Sequence, residues 1–272
     1  MNSEKVMGTE KEFLDTFREL CYSRSSWQVW ADLMTAMACT LANSVDKTEP
    51  RYSAREKEYA DCIKRLGGVE KPSRCFAVVV EALEQNPHQD FLGKLYMSLE
   101  LGNHWKGQFF TPYDVCECMA RLTINNNLQA LKNQEWISVT DPACGAGATL
   151  VAAANIFQSE GINYQTRVLF TANDIDRVVA QMCYIQLSLL GCAGWVAVAN
   201  TISNPVCGDP LMPVEKPGQE FWYFRQEWSM RRQLRTLKRQ FDALFAPQQT
   251  PKTERIIFHF DFEKGEYKCQ NS

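Results

Sequence analysis

The sequence predicts an α/β protein, a doubly wound and mostly parallel sheet preceded by an α-helical domain. Three observations carry this expectation. Residues 10–100 repeat their apolar positions at helical spacing. Beyond Gly107 the texture changes to short apolar runs alternating with amphipathic ones, which argues strand and helix in turn. Those apolar runs lack strict two-residue alternation, so they read as strands covered on both faces, as parallel strands are. The expected domains are 1–104, helical, and 105–272, α/β with a basic helix and C-terminal strands.

The elements follow in chain order. "EKEFLDTFREL" places Phe13, Phe17 and Leu20 on one helix face, and "WQVWADLMTAMACTLANSV" continues the same spacing. "RYSAREKEYADCIKRLGG" ends in a glycine pair suited to a helix stop, and "FAVVVEALEQNP" and "FLGKLYMSLELG" supply two further helices. "TPYDVCECMARLTI" reads as a helix opened by Thr111, with Pro112 at its first position, where a missing N–H costs little. "WISVTDP", "RVLFTAND" and "GWVAVAN" are strands, separated by the helices "ATLVAAANIFQSEG" and "DRVVAQMCYIQLSLLG".

Composition narrows the class. The chain has 272 residues, 45% hydrophobic and 22% charged, with a net charge of −3. It is therefore no strongly basic nucleic-acid binder as a whole, and any contact with DNA falls to a local patch or a partner. No run approaches the roughly 18 apolar residues of a membrane span. The polar start, "MNSEKVMGTEKEF", argues against a secretory signal and makes the cytoplasm the expected location. Eleven cysteines scattered through apolar stretches read as reduced thiols, and with three histidines the chain presents no convincing metal-ligand cluster.

The turn "DPACGAG" is where chemistry is expected. In a parallel sheet, ligands sit beyond the carboxyl ends of the strands. Asp141 would end the first strand, while Gly145 and Gly147 let the backbone turn tightly and approach a ligand. A carboxylate there repels a pyrophosphate and suits an ammonium. Asp174 and Asp176 close the second strand, where an acid can accept the hydroxyl protons of a ribose. An acid near an amine and another near a ribose describe S-adenosyl-L-methionine better than a dinucleotide. Taken singly, each glycine is equally consistent with a simple turn.

"KGQFFTP" at 106–112, "DPACGAG" at 141–147, "NDID" at 173–176 and "LSLLG" at 187–191 resemble, in the same order, segments of the adenine-N6 DNA methyltransferases. The likeness covers about residues 90–210 and extends to the modification subunits of type I restriction systems. It implies a Rossmann-like methyltransferase fold and S-adenosyl-L-methionine as cofactor. Phe110, Thr111 and Pro112 would contact its methionine end, and Asp141, Ala143 and Gly145 would border its amino acid moiety. Asp174 would hold the ribose hydroxyls, Ile175 would pack on the adenine, and Asn200 lies where an adenine-reading acid is expected, with Asp209 a later candidate. The implied partners are DNA and a specificity or other protein subunit, and a homo-oligomer is compatible with the resemblance.

The resemblance breaks at the catalytic motif. In that family an Asp or Asn is followed by two prolines and an aromatic ring, which hold a flipped adenine. Here Asn204-Pro205 is followed by Val206 and Cys207. Asn204 is the candidate for a degenerate catalytic residue. The alternative is a chain that keeps the cofactor fold as an inactive regulatory, decoy or partner-binding protein. A methyltransferase acting on a protein or small molecule is a third reading, against which "GQFFTP" weighs. Downstream, "FRQEWSMRRQLRTLKRQFDALF" reads as a basic helix whose Arg231, Arg232, Arg235 and Lys238 could follow a phosphate backbone, or form a solvated face. Trp222, Tyr223, Phe224 and Trp228 could stack on bases or pack onto the protein body. "ERIIFHFDFEKGEYKC" reads as a hairpin turning at Lys264-Gly265 and placed to close the sheet.

Overall fold

The computed structural model describes residues 2–101, 110–224, 236–237, 256–261 and 266–271, with side chains for 8–101, 110–224, 236 and 237. Two compact units make up the chain, Met1–Gln226 and Glu227–Ser272.

The first unit begins with five helices, α1 (Asn2–Leu20), α2 (Ser26–Val45), α3 (Arg51–Leu66), α4 (Glu70–Gln85) and α5 (Phe91–Ser98). Phe13, Phe17 and Leu20 are buried on one face of α1, as their spacing predicts, and the Phe13 ring meets Trp30 of α2 edge-on at 5.9 Å. α3 stops at the Gly67–Gly68 pair, whose N–H groups donate to the Lys64 and Ile63 carbonyls. Asp90 caps α5, its carboxylate accepting the Gly93 N–H.

The alternating part follows with α6 (Tyr113–Asn126), α7 (Leu128–Asn133), β1 (Ile137–Asp141), α8 (Ala148–Ser159), α9 (Tyr164–Arg167), β2 (Val168–Asp174), α10 (Arg177–Leu189) and β3 (Ala193–Val198). β4 (Cys207–Asp209) pairs with β5 (Met212–Val214), and β6 (Glu220–Tyr223) returns to the main sheet. That sheet has the order β1-β2-β3-β6. Its first three strands are parallel, and β6 is antiparallel to β3. The fold is mixed α/β with a mostly parallel sheet and a helical N-terminal part, as the sequence predicts.

Side-chain alternation along the strands divides the sheet into two faces. Ile137, Val168, Phe170, Ala172, Val196 and Trp222 join the core that also contains α8 and α10. On the other side Trp195, Ala197 and Phe221 form a smaller cluster with Val206 and Tyr223, and the Trp195 indole donates to the Pro210 carbonyl. The main core runs without a break from Phe13 of α1 to Phe224. The helical N-terminal part and the sheet therefore share one interior, joined across α2 and α10 by a buried bond from the Thr35 hydroxyl to Gln181.

Two local expectations need correction. α6 starts at Tyr113 and its cap is Pro112, which makes no side-chain capping bond. The residue before a proline is held extended, and Pro112 itself has ψ 139° and accepts the first helical bonds from Val115 and Cys116. The aromatics read as possible base-stackers include two that are core: Trp222 and Phe224 are buried and both pack on Tyr184, Phe224 face to face at 5.3 Å. Trp228 lies outside the described residues.

In the second unit, β7 (Ile256–Asp261) and β8 (Glu266–Asn271) pair antiparallel along their whole length. The two predicted strands pair with each other as a two-stranded sheet, and the predicted turn at Lys264-Gly265 lies outside the described residues. Arg231, Arg232, Arg235 and Lys238 lie outside the described residues. No helix among the described residues is long and apolar enough to cross a membrane.

Candidate functional site

The "DPACGAG" turn links β1 to α8 at the carboxyl end of the parallel strands. It is built from its own polar groups. Asp141, the last residue of β1, accepts the Ala143 N–H on one oxygen at 3.1 Å and the Thr149 hydroxyl on the other. The Cys144 N–H donates across to the Asn173 carbonyl on β2 at 2.9 Å, and the Gly147 N–H closes back onto the Cys144 carbonyl at 2.8 Å. Asp174, the last residue of β2, accepts the Gly145 N–H at 2.9 Å on one oxygen and the Asp176 N–H at 2.9 Å on the other. The second strand-end acid thus holds the first strand's turn in place.

The two glycines are required for different reasons. Gly145 has φ +54°, and a Cβ there would come within 3.2 Å of the Phe110 ring. Phe110 therefore lies directly over the turn, where it also stacks on Tyr96 with ring centroids 5.3 Å apart. Gly147 has φ +97°, and its Cβ would lie 2.8 Å from the Cys183 sulfur on α10. Only glycine lets the start of α8 approach α10 this closely.

Above the turn lies a cavity of about 290 Å³. It brings together six of the predicted residues, Phe110, Thr111, Asp141, Ala143, Gly145 and Asp174, with Asp90, Cys116, Cys144, Ala146, Ala148, Thr149 and Val179. Pro112 adjoins it as the cap of α6. Ile175, Asn200 and Asn204, and the later candidate Asp209, are not among the lining residues. Ile175 is exposed. Asn200 turns its side chain to the N–H groups of Ile202 and Ser203, both at 2.9 Å, and so shapes the bend after β3. Asn204 donates to the Pro217 carbonyl at 3.1 Å, and its own carbonyl accepts from Gln219 at 2.9 Å. Asp209 accepts the Leu211 N–H in the small β4–β5 hairpin.

The cavity is acidic and desolvated. Burial pushes the carboxyls of Asp90, Asp141 and Asp174 above the ordinary range, against the hydrogen bonds each accepts, and for Asp174 the charges of Asp176 and Asp141 push the same way. Burial likewise raises the Cys116 thiol to about 12, with Asp90 and Asp141 adding to the shift. The Cys144 thiol is raised first by its contact with Cys183 and then by burial. Both are held as neutral thiols. None of the described lining residues is Lys, Arg or His. An anionic ligand would meet three carboxyl groups and no basic side chain among the described lining residues, whereas a cation would relieve them.

Sequence reasoning missed Asp90 and its partner Gln186. Asp90 is 8% exposed, and one of its oxygens accepts both the Gly93 N–H at 2.9 Å and the Gln186 amide at 2.8 Å. The same Gln186 amide nitrogen donates to the Ala146 carbonyl of the turn at 2.8 Å, and its oxygen accepts the Leu92 N–H at 3.2 Å. Three stretches distant in sequence, α5, the glycine turn and α10, are tied by this one buried side chain. The available signal was the acid before the apolar run "FLGKLYMS", which marks a helix cap but says nothing about a cavity.

Residues 89–222, from just before Asp90 to β6, match the family model of the N-6 DNA methylases. This region belongs to the N-6 DNA methylase family. The match takes in the whole cavity and the four strands of the main sheet almost to the end of β6. A solved structure similar to the chain is the methyltransferase subunit of a type I restriction-modification system from Streptococcus thermophilus, at 13% identity and a TM-score of 0.38. The similarity covers 78% of this chain and 61% of that one, so the chain spans less than two thirds of that protein's length. No curated protein matches the chain. Within the methylase region, the strand-end acids and the glycine turn are the features that sequence and structure agree on.

Proposed function

We propose that the cavity at the ends of β1 and β2 binds S-adenosyl-L-methionine and that the chain serves adenine-N6 methylation of DNA together with another polypeptide. The observation that carries this reading is the pair of strand-end acids, Asp141 and Asp174, around a glycine turn in a cavity whose described lining includes no basic side chain. The residues fit the group. A sulfonium and an ammonium suit a desolvated acidic site, Asp174 has lone pairs beyond the two N–H bonds it accepts, and Phe110 offers a ring beside the turn. When bound, this cofactor supplies a methyl group activated by its positive sulfur. The chain's own residues bind it, orient it and exclude water from it. In this reading Phe110, Thr111 and Pro112 flank the methionine end, Asp141, Ala143 and Gly145 border the amino acid moiety, and Asp174 takes the ribose.

A second reading is favoured by one observation. Asn204, the only candidate for holding a target base, is bonded to Pro217 and Gln219 and is not among the cavity's lining residues. In that reading the chain binds cofactor and partner without transferring a methyl group itself. Calorimetric titration with S-adenosyl-L-methionine tests the shared premise, with micromolar binding expected and at least a tenfold loss in Asp174→Ala. Binding that is absent, or unchanged in the variant, refutes the site. Incubation with methyl-labelled cofactor and adenine-containing duplex DNA then separates the readings, because label in DNA requires the first and binding without transfer by the chain alone supports the second.

A further inference from the structure

We propose that Asp90, on the helical side of the cavity, pairs with the ammonium group at the amino acid end of the cofactor. The inference rests on the adenosylmethionine reading above and adds a residue that neither the motifs nor the family resemblance assigned to the ligand.

The three carboxylates of the cavity differ in what they have left to offer. Asp141 accepts the Ala143 N–H on one oxygen and the Thr149 hydroxyl on the other. Asp174 accepts the Gly145 N–H on one and the Asp176 N–H on the other. Both side chains are therefore engaged at each oxygen in holding the turn. Asp90 is different. Its two bonds among the described residues, from Gly93 and Gln186, both fall on Oδ1. Oδ2 retains two lone pairs on a side chain that is more than nine-tenths buried and lines the cavity.

The position of Oδ2 is fixed by its surroundings. Gln186 is fully buried and anchored at both ends, by the Leu92 N–H and by the Ala146 carbonyl, so it holds Oδ1 in one place. On the other side Oδ2 itself lies against Gly93, in the space that a Cβ on residue 93 would fill and the glycine leaves open. A buried acceptor held this firmly loses little entropy when a donor arrives.

The donor the site calls for is cationic and organic. Two further acids share the cavity with no basic side chain among its described lining residues, so a neutral or anionic group would leave Asp90 uncompensated. The three acids do not converge as a metal site, since no group of three His, Cys, Asp or Glu among the described residues is placed to hold an ion. An ammonium has N–H donors for Oδ2, which a sulfonium lacks. Burial raises the Asp90 carboxyl in the ligand-free protein, as befits an acid awaiting a counter-charge.

The test is Asp90→Asn, which keeps an oxygen to cap α5 and to accept from Gln186 while removing the charge. Affinities for S-adenosyl-L-methionine, S-adenosylhomocysteine and adenosine are measured by calorimetry on wild type and variant. The first two ligands carry the ammonium and the third does not. About a tenfold or greater loss is expected for both ammonium ligands, as for a charge-assisted hydrogen bond, with adenosine changed less than about twofold. Asp90→Ser, which also caps but carries no charge, is expected to repeat the pattern and guards against a misfolded first variant. Equal losses for all three ligands would mean a structural role and overturn the proposal, as would unchanged affinities. A loss confined to S-adenosyl-L-methionine would move the contact to the sulfonium and overturn the ammonium assignment. A wild type that binds adenosine but gains nothing from the amino acid end overturns the Asp90 role alone, and one that binds none of the three overturns the adenosylmethionine reading with it.

Discussion

Replacing Gly93 by alanine should destabilise the protein, although the same change in an ordinary helix stabilises it. Gly93 lies in the first turn of α5, where alanine would normally gain about 0.5–1 kcal/mol. Here the new Cβ would overlap the Asp90 carboxylate, lying 2.6 Å from its Cγ and 2.7 Å from Oδ1. The carboxylate has to leave. Its departure removes the cap on α5, worth about 1 kcal/mol, and the charged bond from Gln186, worth about 1.5–3 kcal/mol. Subtracting the propensity gain leaves a net loss of about 2 kcal/mol, read as a lower urea midpoint with unchanged slope. The cause is isolated by a cycle with Asp90→Ala, which has no atom at the Cγ position to meet the new methyl. In the Asp90→Ala background Gly93→Ala should cost nothing, giving a coupling of at least about 1 kcal/mol. A Gly93→Ala protein as stable as wild type, or effects that add to within about 0.5 kcal/mol, would refute the steric argument.

Gly147→Ala combines a positive φ, costing about 1–2 kcal/mol, with a Cβ 2.8 Å from the Cys183 sulfur, costing about 1–3 kcal/mol more. Denaturation of Gly147→Ala/Cys183→Ala should recover the second part and not the first, whereas full recovery or none would contradict this division. Arg177 bonds Glu58 of α3 and Glu220 of β6 and lies 5.6 Å from the Trp222 ring centroid, with about a third of each charged side chain exposed. After discounting for solvent screening, Arg177→Ala should cost about 1–2 kcal/mol, less at high salt, and an effect indifferent to salt would argue that only packing was lost. The raised carboxyl of Asp174 makes the native state bind more protons than the unfolded chain between 3.8 and its folded value, so its contribution to stability grows as pH falls through that value and is lost as pH rises. Thermal midpoints of wild type relative to Asp174→Asn should therefore climb as pH is lowered from about 7, and a flat or falling difference would count against the buried carboxyl.

Much of this was legible in the sequence, for identifiable reasons. Asp141 and Asp174 declare themselves because a strand-end acid beside a glycine turn is a local pattern, and local patterns survive without knowledge of packing. Phe13, Phe17 and Leu20 were readable for the same reason, since one helical period fixes their common face. β6 was not, because "EFWYF" owes its strand to pairing with β3 and its burial to Tyr184, both remote in sequence. Ile175 and Asn200 lie close in sequence to the site, yet the first is exposed and the second is occupied by the N–H groups of its own bend. Sequence position brought them near the strand ends, and rotation at the ends of the strands decided where the side chains went.

Asp90 shows how the helical part bears on the site. A reading from motifs treats residues before the "GQFFTP" segment as an extension, because their pattern is that of an ordinary helical bundle. The structure gives them a wall of the cavity. Gln186 can satisfy the Leu92 N–H, the Asp90 carboxylate and the Ala146 carbonyl together only if α5, the turn and α10 keep one arrangement. A buried amide that lost any of these partners would bear the cost of an unsatisfied polar group, about 1–3 kcal/mol. The network therefore couples ordering of the glycine turn to docking of the helical part. A ligand that neutralises Asp90 and Asp174 at once strengthens both attachments, and one that touches only the sheet strengthens one. Cofactor affinity and stability of the α5 contact should consequently rise and fall together across variants of Asp90, Gly93 and Gln186, which a helical part merely appended to the sheet would not require.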